Sequence, residues 1–278
     1  MEKKLSIHIP IPFAPQKCLC DPDTCIIDAP AEIRRKYLDA VCREMMLFAP
    51  ECQDYVVSSI VLDGGPVQSF PPPDLTVFVR RILKNFRCVE QPTVILTVDP
   101  FGIDHVRAAN YAACGATLMD VRLFSSVRSE CEAIGRPFPH HSFQYAADKF
   151  RSFHMENVGA QVYCGLPGQT AESMYETMEE CAREDAKHVT LRCFAENDLH
   201  LLAADRLKEK GYVEYTPGRF GKEGFCFDCF VGETDVLGLG LHAVTVMDGV
   251  RSVTTGDLET YLAYSGDVSK TAVEVSLI

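Results

Sequence analysis

The sequence predicts an α/β fold: a six-unit (β/α) partial barrel of the TIM type with a small C-terminal extension. Three observations carry this. Between Leu5 and Gly211, apolar β-rich runs alternate with helical segments six times, and such alternation specifies a parallel sheet with crossover helices. Six units of this length suit an open or partial barrel better than a closed one of eight. The unusual loops all follow strands, so they gather at the strand C-termini, where such sheets bind ligands.

The first strand, LSIHI (5–9), leads into the loop PIPFAPQKCLCDPDTC. The helix over 31–49 places Ile33, Tyr37, Val41, Met45 and Phe48 near one face. YVVSSIVLD (55–63) is a strand closed by Gly64 and Gly65, and prolines open the helix over 72–86. TVILTV (93–98) is a buried strand ended by Asp99-Pro100, and the helix over 103–114 is stopped by Gly115. A strand over 116–124, a helix over 142–155 and a strand over 158–164 follow. A helix over 170–184 takes Thr170 as its N-cap. The strand over 188–194 and the helix over 199–211 complete the barrel, residues 1–211. Residues 212–278 are richer in turns and short strands, with a brief helix near 257–264, and are expected to pack on the barrel as an extension.

Apolar residues make up 47% of the 278 and charged residues 24%, which predicts an ordinary packed core. The net charge of −12 disfavours nucleic acid as a partner, because its backbone demands dense Lys and Arg. No stretch approaches the roughly 20 apolar residues of a membrane span. The opening MEKKLSIHIP lacks the apolar run of a signal peptide, so a cytoplasmic location is expected. The thirteen cysteines do not fit a disulfide framework, which belongs to short secreted chains. Most are expected to be reduced and buried, acting as small hydrophobes.

CLCDPDTC places thiols at Cys18, Cys20 and Cys25 beside a strand end. Three thiolates there can hold an iron–sulfur cluster, or zinc with a fourth ligand. The C-x-C-x4-C spacing is equally met by three ordinary loop cysteines.

The flanking residues resemble a known family. IHIPIPFAPQKCLC is similar to the opening of the oxygen-independent coproporphyrinogen III oxidase family of radical S-adenosylmethionine proteins. That family includes related haem chaperones and anaerobic haem-degrading enzymes. Further landmarks keep the family order: SSIVLDGGPVQSFPPPDL, VILTVDP, CGATLMDVRLFSS, EAIGRP, GLPGQT, GYVEYTPGRF, DVLGLGLHAV and DLETYL. The resemblance implies a radical-SAM-core-like barrel. It also implies a 4Fe-4S cluster, S-adenosylmethionine, a porphyrin- or haem-type substrate and, in an active enzyme, a reductant protein. Three cysteines of such a cluster leave one iron open for S-adenosylmethionine.

Against the family pattern, the first cluster cysteine falls on Ala14, the second on Cys18 and the third on Asp21, unless a deletion brings Cys20 into register. The glycine-rich segment is shortened around Gly64 and Gly65. The polar S-adenosylmethionine contacts fall on Thr97, Phe124 and Gln161, and only the arginine contact, Arg136, is kept. The altered positions all belong to one site, so the resemblance describes a retained barrel with a rewritten cofactor site.

Other candidates carry two readings each. Cys226 and Cys229 form a C-x2-C pair that suits a metal, alone or with the loop cysteines, or two reduced cysteines among phenylalanines. His8 reads as a ligand or, more readily, as a satisfied barrel histidine. His242 reads as a haem ligand facing the mouth or as a packed loop residue, and His140-His141 as solvated turn residues. Arg122 and Arg136 suit a carboxylate in the mouth, although Arg122 also fits a solvated strand end. Three functions stay open: a radical S-adenosylmethionine enzyme with an altered cluster, a cluster-free tetrapyrrole- or small-ligand-binding protein, and a metal-bound structural protein.

Overall fold

A computed structural model describes residues 2–22, 24–138, 141–225, 227, 229 and 234–277. Strand β1 (Lys3–Ile11) leads through two paired short strands, β2 (Phe13–Ala14) and β3 (Ile26–Ile27), into helix α1 (Ala31–Phe48). The units continue with β4 (Tyr55–Gly64), α2 (Pro72–Asn85), β5 (Cys88–Val98), α3 (His105–Ala113) and β6 (Leu118–Phe124). Two short helices follow, α4 (Arg128–Ala133) and α5 (Ser142–Arg151), then β7 (Val158–Cys164), α6 (Ala171–Arg183), β8 (His188–Cys193) and α7 (Leu199–Glu209). The remainder forms β9 (Val213–Thr216), β10 (Arg219–Gly221), β11 (Asp235–Gly238), β12 (Val244–Met247), β13 (Val250–Thr254), α8 (Leu258–Tyr264), α9 (Val268–Thr271) and β14 (Ala272–Leu277).

Strands β1, β4, β5, β6, β7 and β8 lie side by side in parallel, in chain order, as a six-unit partial barrel. Residues beyond 211 extend both edges of the same sheet. β10 pairs antiparallel with β8, while β11 pairs parallel with β1 and carries β12, β13 and β14 outward. None of the described helices is long and apolar enough to cross a membrane.

Alternation along the strands sorts side chains between two surroundings. Leu5, Ile7 and Ile9 are fully buried with Tyr37 and Val41 of α1. Ser6 and His8 have the opposite parity and face the barrel axis, where Ser6 and Ser59 share a hydroxyl hydrogen bond of 2.7 Å. The face expected on α1 is confirmed at Tyr37, Val41 and Met45, which are buried. Thr170 caps α6 with a full capping box: it accepts from Ser173 N–H, and Ser173 Oγ accepts from Thr170 N–H. Such a cap contributes about 1 kcal/mol.

Two element ends differ from expectation by more than two residues. β5 begins at Cys88 rather than at residue 93, because Cys88 aligns with Val57 beyond a register shift that lets polar Glu90 and Gln91 stay exposed. The helix expected over 142–155 ends at Arg151, and His154 turns back with φ of 62°.

Candidate ligand site at the barrel mouth

A cavity of about 290 Å³ opens at the C-terminal ends of the strands. Pro10 and Ile11 form one wall; Cys20, Asp21 and Cys25 of the following loop form another. Gly64 and Gly65, Arg122 from β6, Gln161 and Tyr163 from β7, Arg192 from β8, and Leu241 with His242 complete it. The loops that the sequence aims at one mouth therefore do meet. Gly65 is needed there for close approach: a Cβ would lie 2.2 Å from the Phe13 carbonyl oxygen. Gly64 holds φ of 86°, the left-handed region that favours glycine.

The cysteine loop is organised by Asp21. One of its carboxylate oxygens accepts the Cys18 N–H at 3.0 Å, and the other accepts from Arg122 Nη2 at 3.0 Å. Cys18 is turned away from the cavity into a small apolar cluster with Phe124, Ile134 and Leu166. Cys20 and Cys25 line the cavity. A hydrogen bond with the Cys20 side chain lowers the Cys18 thiol to about 7, against the opposing effect of burial, while Cys20 is raised. Ala14 is buried in β2 and offers no donor beyond its backbone. No group of three or more His, Cys, Asp or Glu side chains is placed to hold a metal among the described residues. The donor set does not fit a three-thiolate cluster. One ligand position is an alanine, another is a carboxylate already paired with arginine, and Cys18 packs against Phe124.

The floor beside this loop is filled by Phe124. The residue is 1% exposed and sits at φ of 65°, a conformation uncommon for a bulky side chain. Its ring stacks on Tyr163, with centroids 4.6 Å apart and planes 5° from parallel, while the Arg136 guanidinium lies 3.9 Å from the ring centroid. Arg136 Nη2 also bonds Asp99 at 2.6 Å, and Arg122 Nε reaches the same carboxylate oxygen at 3.5 Å. Both arginines and Asp99 are buried. Arg136 is thus committed to Asp99 and Phe124 rather than left open to the mouth.

Thr97 and Gln161 do not face a ligand as an isolated pair. Gln161 Nε2 donates to Asp120 at 2.6 Å and lies 3.5 Å from the Thr97 hydroxyl, and Gln161 Oε1 accepts from Arg192 Nε at 3.2 Å. Burial raises the Asp120 carboxyl, against the Gln161 hydrogen bond. These positions therefore form a polar layer across the barrel just beneath the cavity. Below it, Val61, Ile95, Leu118 and Cys229 close the interior, with Phe227 packed on them.

Several expectations are corrected. Arg122 is 3% exposed, so it is not a solvated strand end. His8 faces the barrel interior, but its Nε2 has no hydrogen-bond partner among the described residues, so it is not satisfied. Burial lowers its pKa. Cys229 lies at the opposite end of the strands from the cysteine loop and cannot join it; Cys226 lies outside the described residues, as does His140. His242 lines the cavity, as one of its readings required, and His141 precedes α5 in an exposed turn.

Sequence reasoning missed Asp99, Tyr163 and Arg192 as parts of the site. For Tyr163 and Arg192 the signal was available. Each is two residues beyond an inward-facing polar residue on its strand, Gln161 and Thr190, so strand parity turns both inward. Asp99 follows its strand in VDP, and only the fold shows that it meets Arg122 and Arg136.

No protein-family model matches the chain. The chain is 21% identical over 288 residues to the heme chaperone HemW of Bacillus subtilis (strain 168), across 92% of this chain and 75% of that one. Among solved structures, it superposes on the coproporphyrinogen III oxidase HemN of Escherichia coli, a radical SAM enzyme, with a TM-score of 0.87 and 17% identity, covering 100% of this chain and 72% of that one. The structure of anSMEcpe with bound AdoMet matches with a TM-score of 0.52 at 14% identity, over 74% of this chain and 60% of that one. The structural likenesses establish the fold.

Proposed function

From a chain similar in sequence to a haem chaperone and in fold to a coproporphyrinogen III oxidase of the radical SAM class, we propose a cluster-free ligand-binding protein. It keeps the barrel of that family and holds a tetrapyrrole-type ligand at the mouth. One observation carries this reading. Asp21, at the third cluster position, is bonded to the Cys18 amide and to Arg122. Its charge is spent inside the protein, and the space beside it is filled by the stack of Arg136, Phe124 and Tyr163. Reopening the site for a cluster and S-adenosylmethionine would break a buried ion pair, at a cost of about 3–5 kcal/mol. The cavity meanwhile carries Cys20, Cys25 and His242. Thiolate and imidazole are among the donors that ligate haem iron. In this reading the protein works in the cytoplasm and needs no reductant partner.

The test is anaerobic reconstitution with iron and sulfide, run on the wild type and on Ala14→Cys/Asp21→Cys, which puts a cysteine at each of the three family cluster positions. The wild type is expected to retain little iron and to bind haem with a shifted Soret band. The double variant is expected to gain iron. About four irons per wild-type chain, with S-adenosylmethionine cleaved under dithionite, would overturn the proposal.

A further inference from the structure

We infer that Arg122 and Arg192 form an anchor for a carboxylate of the bound ligand, placed on the barrel side of the cavity. The assignment rests on the proposed tetrapyrrole site and adds the group by which the ligand is held.

Both arginines line the cavity. Arg122 is buried and holds Asp21 through Nη2 and Asp99 through Nε, but its Nη1 has no hydrogen-bond partner. A buried guanidinium N–H left unpaired is costly, so the site is incomplete as it stands. Arg192 is half-buried and uses only Nε, toward Gln161; its two Nη atoms make no hydrogen bond or ion pair among the described residues. Among the described residues lining the cavity, Asp21 is the only acidic one, and Arg122 already pairs with it. The wall therefore carries, among the described residues, a guanidinium with no ion-pair partner, that of Arg192, and an unpaired N–H of Arg122.

Guanidinium groups match carboxylates because their fork places two N–H donors in one plane. Pro10, Ile11, Tyr163 and Leu241 give the same cavity an apolar and aromatic side. A flat apolar body carrying a carboxylate on a short arm meets both requirements. At about 290 Å³ the cavity is at the small end for ligand pockets, so it takes one acid-bearing edge of a tetrapyrrole while the rest lies across the mouth.

The experiment titrates the protein with haem and with haem dimethyl ester, whose propionates are blocked, following the Soret band. Wild type, Arg192→Gln and Arg122→Gln are compared. Arg122→Gln leaves Asp21 unpaired and risks misfolding; Arg192→Gln leaves every ion pair described above in place, and circular dichroism checks both. The wild type is expected to bind the acid at least about tenfold more tightly than the ester, the value of one charge-assisted hydrogen bond. That preference is expected to collapse in Arg192→Gln. Equal binding of acid and ester by the wild type, or an undiminished preference in Arg192→Gln, overturns the anchor while leaving the haem reading intact. If neither form binds, the proposed function falls, and the anchor is then decided by thermal stabilisation with hydrocinnamate against its amide. Stabilisation by the acid alone, lost in Arg192→Gln, supports it; an equal response to both, or none, overturns it.

Discussion

Glu44 offers a stability experiment whose size and sign follow from its surroundings. This α1 carboxyl is 2% exposed. Its Oε2 accepts the Gly240 N–H at 2.8 Å and the Tyr261 hydroxyl at 2.6 Å, and its Oε1 accepts from Thr254 at 3.5 Å. It thereby fastens the loop before His242, strand β13 and helix α8 to the barrel. Burial raises its pKa from 4.5 to about 7, and the three donors only partly oppose this. Between those values the folded chain keeps a proton that the unfolded chain has released. Stability from this group is therefore full below 4.5 and falls as pH rises to about 7. At about 1.4 kcal/mol per pH unit, the loss is on the order of 3 kcal/mol. Glu44→Gln abolishes the titration yet keeps an acceptor for Gly240 and Tyr261. Urea unfolding at about pH 5 and about pH 8 should show the wild type losing stability relative to the variant by on the order of 3 kcal/mol. Parallel pH profiles for the two proteins would refute the reasoning, because they would mean that Glu44 titrates alike in the folded and unfolded chains.

Two further substitutions probe the rewritten site. Phe124→Ala removes a buried ring stacked between Tyr163 and Arg136, and a loss of about 3–5 kcal/mol is expected in urea unfolding. A loss well under 1 kcal/mol would mean that the stack does not hold the floor of the cavity. Gly65→Ala would place its Cβ 2.2 Å from the Phe13 carbonyl oxygen and 2.7 Å from that of Ile11. A destabilisation of about 1–3 kcal/mol is expected, together with weaker haem binding, and an unchanged melting temperature would show that the close approach is not maintained in solution.

The sequence made the barrel legible through local signals. The alternation of β-rich and helical runs, the Thr170 cap and the burial of Tyr37, Val41 and Met45 all come from residues near one another in the chain. Periodicity encodes which face of an element meets the core, so the six parallel units follow with little long-range information. The ordered landmarks likewise pointed to the resemblance that appears as similarity in sequence to a haem chaperone and in fold to a coproporphyrinogen III oxidase. Ala14, Asp21 and Phe124 stood out as departures in a ligand set, and that much needed no coordinates.

What replaced the lost contacts could not be read from the chain alone. Asp21 and Arg122 are 101 residues apart, and Arg136 and Asp99 are 37 apart. Whether a carboxylate serves as a ligand or as the counter-ion of a buried arginine depends on which strand ends the barrel brings together. The same holds for Cys18, which the tertiary structure turns into an apolar cluster while leaving Cys20 and Cys25 on the cavity wall. Sequence determines the scaffold because periodicity and capping act over a few residues. Only the side-by-side packing of six strands decides the charge balance of the mouth, because each ion pair there joins side chains that are neighbours in space alone.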